Sequence, residues 1–261
     1  MKFWSNEWKE FRYDQLKTRW ADCEQCELSK NRRHMVFGEG NLSSKIMFIG
    51  EGPGEAETKA GRPFVGQPGL LLEALLSFVG LHKEDLFFDN IVACPSVKGR
   101  EPSAAEKSCC QGRLYETIYL VDPWIVVPVG KVALTTLLHG RSHSIEKLHG
   151  TLFSSPNPNF RINSEGNGLA LPGKFFPKRG QDKKVYELEY DMIPIFSPSY
   201  ILREEGIDMT KNDLSFSPIG PSKSTVDDLA KIHQLVQNIE SEYQRQQGHL
   251  RRLGISDETD D

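Results

Sequence analysis

The sequence predicts an α/β protein with a doubly wound, mostly parallel four-stranded sheet. Four short apolar runs have the length of buried strands, and they lie at 45–50, 86–94, 124–130 and 192–196. Helix-like segments separate these runs, so strand and helix alternate along the chain. In such a sheet the ligand site lies outside the carboxyl ends of the strands, where the loops after the first, second and last runs would converge.

Helices are predicted at four places before residue 140. The first, 6–20, carries Trp8, Phe11, Leu16 and Trp20 at roughly helical spacing. The other three are the leucine-rich segment 69–79, a helix opened by the capping box Ser103-Ala-Ala-Glu106, and the segment 130–139.

The chain after residue 150 adds segments beyond this alternating core. We interpret 151–191 as an insertion, in which basic residues around Phe175 and Phe176 indicate either a solvated hairpin or a DNA-facing flap. Next come a linker (206–223), an amphipathic terminal helix that packs on the domain (224–247) and an acidic tail (257–261). We therefore divide the chain into a main domain, 1–205, and a C-terminal extension, 206–261.

Composition and charge exclude several classes of protein. The 261 residues carry a formal net charge of -4, so nucleic-acid binding would need a local basic surface. No apolar run approaches the length that crosses a bilayer, and the N-terminus lacks the uninterrupted apolar segment of a secretory signal. We expect a cytoplasmic protein without a membrane partner.

The cysteines indicate a metal or cluster site. There are five, and Cys23-Glu-Gln-Cys26 forms a close pair in a chain where a disulfide framework is not expected. Further ligands would come from Cys94, Cys109 and Cys110. Because neighbours on a helix point about 100 degrees apart, only one of the adjacent pair can face the site. Four thiolates suit zinc or an iron–sulfur cluster equally.

The loop GEGPGEAETKAGRPFVG, residues 50–66, follows the first apolar run. It lacks the third glycine of a dinucleotide fingerprint and the Lys-Ser/Thr of a P-loop, and its acids would repel a pyrophosphate. Its glycines instead allow backbone N–H groups to approach a planar ligand, with a carboxylate to handle water and Phe64 to stack on the ring. The loop therefore predicts a site for a planar ring.

Several motifs, taken in order, carry a resemblance to a known family. They are GEGN (38–41), FIGEGPGEAETKAGRPFVG (48–66), DNIVAC (89–94), the Arg100-Glu-Pro102 step, Glu106, Cys110, PWIVVPVG and SPSYILR (197–203). Together they resemble the family-4 uracil-DNA glycosylases, the iron–sulfur branch of that superfamily. The resemblance implies a three-layer α/β/α fold and hydrolysis of the N-glycosidic bond of uracil flipped out of DNA, in base excision repair. We expect a monomer whose partner is uracil-containing DNA.

The resemblance also assigns roles to residues. Cys23, Cys26, Cys94 and Cys110 would hold a structural 4Fe-4S cluster. Glu51 and Gly52 would line the uracil pocket, Glu57 would position or activate the attacking water, Phe64 would stack on the base and Asn90 would read its edge. An Asn amide offers an acceptor and donors together, which complements uracil and mismatches cytosine.

Two positions depart from the family pattern. Ser197 stands where the family usually has a His that donates to uracil O2, and Gly99 stands where it usually has Asn. Losing one donor aimed at a developing oxyanion costs about 100- to 1000-fold in rate, so we expect a reduced efficiency. A glycosylase for another modified base and a non-catalytic DNA-binding module stay open as alternatives.

Other residues of the matched motifs would contact the DNA. Ile201-Leu202-Arg203 matches the family's apolar wedge that enters the minor groove, although packing at a helix start is the alternative for Ile201. Arg62, Arg100 and Arg203 are candidate phosphate contacts, with solvated surface charge as the alternative. We interpret His149 as a solvent or phosphate contact.

Overall fold

The computed structural model describes residues 4–138, 144–157, 188–210 and 217–252. Within these ranges one sheet has six strands in the order β1-β3-β2-β4-β6-β5. The strands are β1 (Glu39–Gly40), β2 (Ile46–Gly50), β3 (Phe87–Asn90), β4 (Ile125–Pro128), β5 (Phe153–Asn157) and β6 (Leu188–Met192). The four inner strands are parallel, as predicted, while β1 and β5 add unpredicted antiparallel edges.

Eight α-helices accompany the sheet in the described ranges. They are α1 (Asn6–Trp20), α2 (Glu55–Ala60), α3 (Gln67–Phe78), α4 (Ala104–Val121), α5 (Lys131–Leu137), α6 (Ile145–Leu148), α7 (Pro198–Glu205) and α8 (Gly220–Arg252). The predicted capping box opens α4: the Ser103 hydroxyl accepts from the Glu106 N–H at 3.2 Å, and the Glu106 carboxylate accepts from the Ser103 N–H at 2.7 Å. The helices predicted before residue 140 are confirmed.

Alternate residues of β2 face two separate hydrophobic clusters. Met47 and Ile49 pack with residues of α1 and α4, whereas Ile46 and Phe48 pack with residues of α3, α7 and α8. The two-residue period of a strand thus buries β2 on both faces. This is the predicted three-layer α/β/α architecture.

The last parallel strand differs in its bounds from the predicted run 192–196. β6 ends at Met192, and beyond it an isolated bridge between Val129 and Ile195 continues the pairing. The N–H groups of Ile193 and Ile195 donate to the carbonyls of Val126 and Pro128 at 3.2 and 3.0 Å, so the pairing with β4 continues past Pro194. The predicted run therefore does pair with β4, although the regular strand begins earlier, at Leu188, and ends at Met192.

Helix α1 buries most of the predicted face, because Leu16 is in the core and Trp8 and Trp20 pack against it partly buried. Tyr13 and Leu16 are buried, but Phe11 is 60% exposed. Lys9 is buried instead, because its ammonium group donates to two backbone carbonyls at 3.0 Å.

Helix α8 packs on the domain, as predicted, but begins at Gly220 rather than at residue 224. Leu229, Ile232 and Val236 join the cluster that contains α3 and α7. Most of the predicted insertion, including its basic segment, and the acidic tail 257–261 lie outside the described residues. Among the helices that are described, none is long and apolar enough to cross a membrane.

Candidate active site

A cleft of about 1260 Å³ opens at the carboxyl ends of the parallel strands. Its walls come from the loop 50–66 after β2, the segment after β3, the start of α5 and the start of α7. Seven residues of the predicted site line it: Glu51, Gly52, Glu57, Phe64, Asn90, Ser197 and Arg203. The sheet thus gathers the three loops that the strand order led us to expect.

Phe64 has an unusual backbone conformation. Its φ is 53°, in the left-handed region that bulky residues rarely adopt. Such strain persists where surrounding contacts fix it, and it occurs often at ligand sites. A Cβ on Gly69 would lie 2.1 Å from the Phe64 carbonyl oxygen, so the glycine is needed for α3 to approach this loop.

The carboxylate of Glu57 closes the loop around Phe64. One oxygen accepts from the N–H groups of Val65 at 3.0 Å and Gly66 at 2.7 Å, and the other accepts from Gly54 at 3.1 Å. Because two of these donors directly follow Phe64, the carboxylate fixes the strained residue. A carboxylate has about four acceptor positions, so about one is left for a water in the cleft.

Asn90 is fixed from behind by a buried ion pair. The guanidinium of Arg113 lies 2.7 and 2.8 Å from the carboxylate oxygens of Asp89, and both side chains are fully buried. Arg113 also donates to the backbone carbonyl of Asn90, and Asp89 accepts from the Asn90 N–H at 2.7 Å. Sequence reasoning missed this pair, although an acid inside an otherwise apolar run was a signal of it.

Gly50 keeps open the space between the ring and the amide. A Cβ on Gly50 would lie 2.8 Å from the Cζ atom of Phe64 and 2.5 Å from Oδ1 of Asn90. Any side chain here would therefore collide with both groups. The structure brings a stacking ring and a hydrogen-bonding amide to one place, as a planar ligand requires.

Glu51 is a partly buried acid in the same wall. Burial raises the pKa of its carboxyl, and the negative charge of Glu101 raises it further, while Lys107 acts in the opposite direction. Its backbone carbonyl accepts from the Val92 N–H at 3.1 Å, which joins the loop to the segment after β3. Glu51 therefore takes up a proton at a higher pH than an exposed glutamate.

Ser197 lies on the opposite wall, at the start of α7. It is the N-cap residue of this helix, yet its side chain makes no capping hydrogen bond. Gly130 has a φ of 88°, and a Cβ there would lie 2.7 Å from the Cβ of Ser197. The close approach of Gly130 fixes the backbone of Ser197. The Ser197 hydroxyl does not cap the helix, so it is available to a ligand in the cleft.

For Ile201, the structure agrees with packing at a helix start, the alternative to the wedge role. Its side chain is 0% exposed and packs in the cluster that contains α3 and α8. Because a wedge must project from the surface to enter a groove, Ile201 instead attaches α7 to the domain. Leu202 is partly buried in the same cluster, whereas Arg203 is exposed and lies 5.5 Å from the ring of Tyr200.

Two candidate phosphate contacts are already paired with acids. Arg62 makes a bidentate pair with Glu39 at 2.6 to 2.9 Å, and Arg100 makes one with Glu106 at 2.6 and 2.8 Å. The hydrogen bond from Arg100 is the largest cause that lowers the pKa of Glu106 to about 2. Arg100 also lines the cleft. The role of these two arginines in phosphate binding stays a prediction, and their pairing means that a phosphate would have to compete with Glu39 or Glu106.

Other cations face the cleft. Arg33 and Lys131 are exposed and line it together with Arg203. Sequence patterns do not identify Arg33 and Lys131, because a single basic residue in a loop or at a helix start belongs to no motif.

His149 contacts α8, and its side chain is also 25% exposed to solvent. Its Nδ1 lies 2.7 Å from Oδ2 of Asp228, and its ring packs on Phe196 with 4.5 Å between centroids. Lys231 of the same helix donates to the carbonyl of Gly150 at 2.6 Å. Helix α8 thereby supports the segment that leads into Ser197.

Four of the five cysteines belong to one hydrophobic cluster. Cys94, after β3, and Cys110, in α4, are buried in it, while Cys23 and Cys26 pack against it from the segment after α1. Burial, followed by the charge of Cys110, raises the pKa of the Cys94 thiol to about 11. In the part of the chain that is described, no group of three or more His, Cys, Asp or Glu side chains is arranged to hold a metal ion.

The adjacent cysteines of α4 point in different directions, as their helical spacing predicts. Cys109 is partly exposed, and its thiol donates to the carbonyl of Gln25 at 3.3 Å. Cys110 is 6% exposed and faces the cluster with Cys94. Cys110 therefore shares this hydrophobic cluster with Cys94, Cys23 and Cys26.

Known proteins show similarity over the region that contains this cleft. The family model of the uracil DNA glycosylase superfamily matches residues 37–216. A type-4 uracil-DNA glycosylase of Thermotoga maritima is 36% identical over 189 residues, which cover 72% of this chain and 82% of that protein. Proteins of the same name from Saccharolobus solfataricus and Pyrobaculum aerophilum are 38% and 35% identical, over 51% and 49% of this chain and 63% and 65% of their own lengths.

Proposed function

The chain belongs to the uracil DNA glycosylase superfamily and to its type-4 branch, and on this basis we propose that it is a uracil-DNA glycosylase acting in DNA repair. It hydrolyses the N-glycosidic bond of a uracil flipped out of DNA and leaves an abasic site. The observation that carries the proposal is that the Phe64 ring and the Asn90 amide both lie next to Gly50, which has no side chain to fill the space.

Recognition of the base follows from these two side chains. Phe64 stacks on the ring, while the Asn90 amide accepts from N3–H and donates to O4 of uracil. Cytosine offers the opposite pattern of donor and acceptor, so binding it would leave buried polar groups unpaired. The hydrogen bonds that Arg113 and Asp89 make to the Asn90 backbone fix the position of the reading group.

Hydrolysis needs groups for two developing charges. As the glycosidic bond breaks, its electron pair moves onto the uracil, and positive charge gathers on the sugar. Glu51 and Glu57 make that part of the cleft anionic, and Glu57 keeps about one acceptor position for the attacking water. Ser197 supplies a hydroxyl from the opposite wall as a donor to uracil O2.

An iron–sulfur cluster held by Cys23, Cys26, Cys94 and Cys110 is part of the proposal. The all-thiol donor set in one hydrophobic cluster supports it. When bound, the cluster acts as a structural link between the segment after α1, the segment after β3 and α4. Iron analysis and visible absorbance of the purified protein distinguish it from zinc.

The proposal is tested on a labelled single-stranded oligonucleotide that contains one uracil, treated with alkali after incubation with the protein. Matched oligonucleotides with cytosine or thymine at that position are the controls. We expect strand cleavage at uracil alone. Intact uracil strands after incubation with iron-loaded protein would overturn the proposal.

A different modified base is the second candidate substrate. Gly99 lines the cleft with a φ of 69°, and nothing lies within 4 Å of a Cβ placed there. This open space, together with the small side chain of Ser197, favours a larger base. Oligonucleotides with deaminated purines or modified pyrimidines test it, and uracil must rank below one of them if this candidate is correct.

A further inference from the structure

Arg32 contacts two of the segments that carry the cysteines. Its Nη1 donates to the carbonyl of Cys23, and its Nη2 donates to the carbonyl of Ala21 at 3.2 Å. Its Nη1 also lies 3.8 Å from the sulfur of Cys94. One side chain therefore connects the segment after α1 with the segment after β3.

We propose that Arg32 is a positioning residue for the iron–sulfur cluster: it holds the Cys23–Cys26 segment against Cys94 and donates a hydrogen bond to a ligand sulfur. The inference rests on the cluster of the proposed function. It adds a residue outside the cysteines whose loss weakens retention of the cluster.

The geometry of the guanidinium group suits this role. Its planar fork presents several N–H donors at fixed angles, whereas a lysine ammonium is a single compact charge. Ala21 is the C-cap residue of α1, where free carbonyls and the helix dipole favour a cation. Arg32 thus satisfies the end of α1 and fixes the direction in which the chain leaves it toward Cys23.

The charge of Arg32 supports the same role. Cys94 is buried and lies near Cys26 and Cys110. Arg32 carries a positive charge beside it, which favours the thiolate form of a ligand cysteine. Hydrogen bonds to ligand atoms from outside the ligand set orient the ligands and tune the metal group, and their removal typically costs about 10- to 100-fold in metal affinity. The exposed side chain of Arg33, the next residue, lines the cleft instead.

The test compares iron-loaded intact protein with Arg32→Gln, Arg32→Lys and Arg33→Gln, where the last variant removes the same charge one position away. Each protein is mixed with an iron chelator, and the decay of the visible absorbance gives the half-life of the cluster. We expect Arg32→Gln to shorten the half-life about 10- to 100-fold, Arg32→Lys to lie between, and Arg33→Gln to match the intact protein.

Equal half-lives for Arg32→Gln and Arg33→Gln would overturn the inference while leaving the cluster in place. Purified intact protein without iron would overturn the cluster and this inference together, whereas failure of uracil cleavage would concern the glycosylase activity alone. If Arg32→Gln does not fold by circular dichroism, Arg32→Lys decides: a half-life equal to that of the intact protein overturns the inference, and a shorter one supports it.

Discussion

The loop after β2 and the end of β3 form one wall of the cleft, and the start of α7 forms the other. On the first wall, three backbone N–H groups hold Glu57, and a fully buried ion pair supports Asn90. On the second, the side chain of Ser197 makes no capping hydrogen bond. In the function that we propose, the first wall reads the base, while the second faces the charge that develops as the base leaves.

This difference separates recognition from rate. Groups fixed in advance lose little freedom when the base binds, so the first wall favours selectivity. A donor aimed at a developing anion acts on the rate, and the second wall offers a short hydroxyl in place of the family's histidine. We therefore expect a selective but slow glycosylase, and the following predictions test each wall.

Glu57→Gln is expected to have the largest effect, a fall in the single-turnover rate of about 100- to 10,000-fold. The change removes negative charge near the sugar, and the amide NH2 cannot accept the backbone N–H groups that hold Phe64. The control is Glu55→Gln on the same helix, because Glu55 is exposed and paired with Lys59 at 2.7 Å. Equal rates for the two variants would show that the first wall does not depend on Glu57.

Arg113→Met is expected to lower the free energy of unfolding by about 3–5 kcal/mol, because it leaves the charge of Asp89 buried without a partner. Denaturant titration measures the change. The double variant Arg113→Met/Asp89→Asn should recover part of the loss. If the single change costs less than about 1 kcal/mol, the pair contributes no more than an ordinary surface ion pair. The Arg113–Asp89 pair would then not be what holds Asn90 in place.

Acid should lower the free energy of unfolding by breaking the ion pair between Glu106, at the start of α4, and Arg100, in the segment after β3. Arg100 lowers the pKa of Glu106 to about 2, so its contribution to stability is fully present above the ordinary glutamate pKa of about 4.3 and is lost as the pH falls toward about 2. The free energies of unfolding of the intact protein and of Glu106→Gln, measured by denaturant titration at each pH, should therefore converge as the pH falls through this window. Parallel pH profiles of the two proteins would refute the assignment.

The smallest expected effect concerns DNA binding by Lys131, which lies beside the second wall. Lys131→Gln should reduce the slope of log affinity against log salt by about 0.7 to 0.9, because one phosphate contact is lost. Arg62→Gln is the matched control, since Arg62 is paired with Glu39. An unchanged slope for Lys131→Gln, measured on a uracil-free oligonucleotide, would exclude this contact.

Features encoded by short stretches of sequence were predictable. The four residues of the capping box, Ser103 to Glu106, are enough to predict where α4 starts. The alternation of apolar runs and helices is enough to predict a doubly wound sheet. Phe64 and Asn90 could be placed together because Phe64 lies in the loop after β2 and Asn90 ends the neighbouring parallel strand β3.

Features that depend on contacts between distant residues were not predictable. The burial of Arg113 needs Asp89 from another element, and apolar residues such as Ile201 and Phe11 read alike in sequence although one is buried and the other exposed. The pairing of Arg62 with Glu39 and of His149 with Asp228 likewise depends on folding. The hydrogen bond from the Val65 N–H to Glu57 also depends on the left-handed conformation of Phe64, which the sequence does not indicate.

The most direct test of the difference between the walls is the rate of uracil excision by the intact protein and by Ser197→His. Both are incubated with the labelled uracil oligonucleotide and its cytosine counterpart, and strands are cleaved with alkali. The difference between the walls predicts slow cleavage at uracil by the intact protein, acceleration by Ser197→His of up to about 100- to 1000-fold, and no cleavage at cytosine by either. An intact protein that binds the uracil strand without cleaving it, or a Ser197→His variant with an unchanged rate, would contradict it.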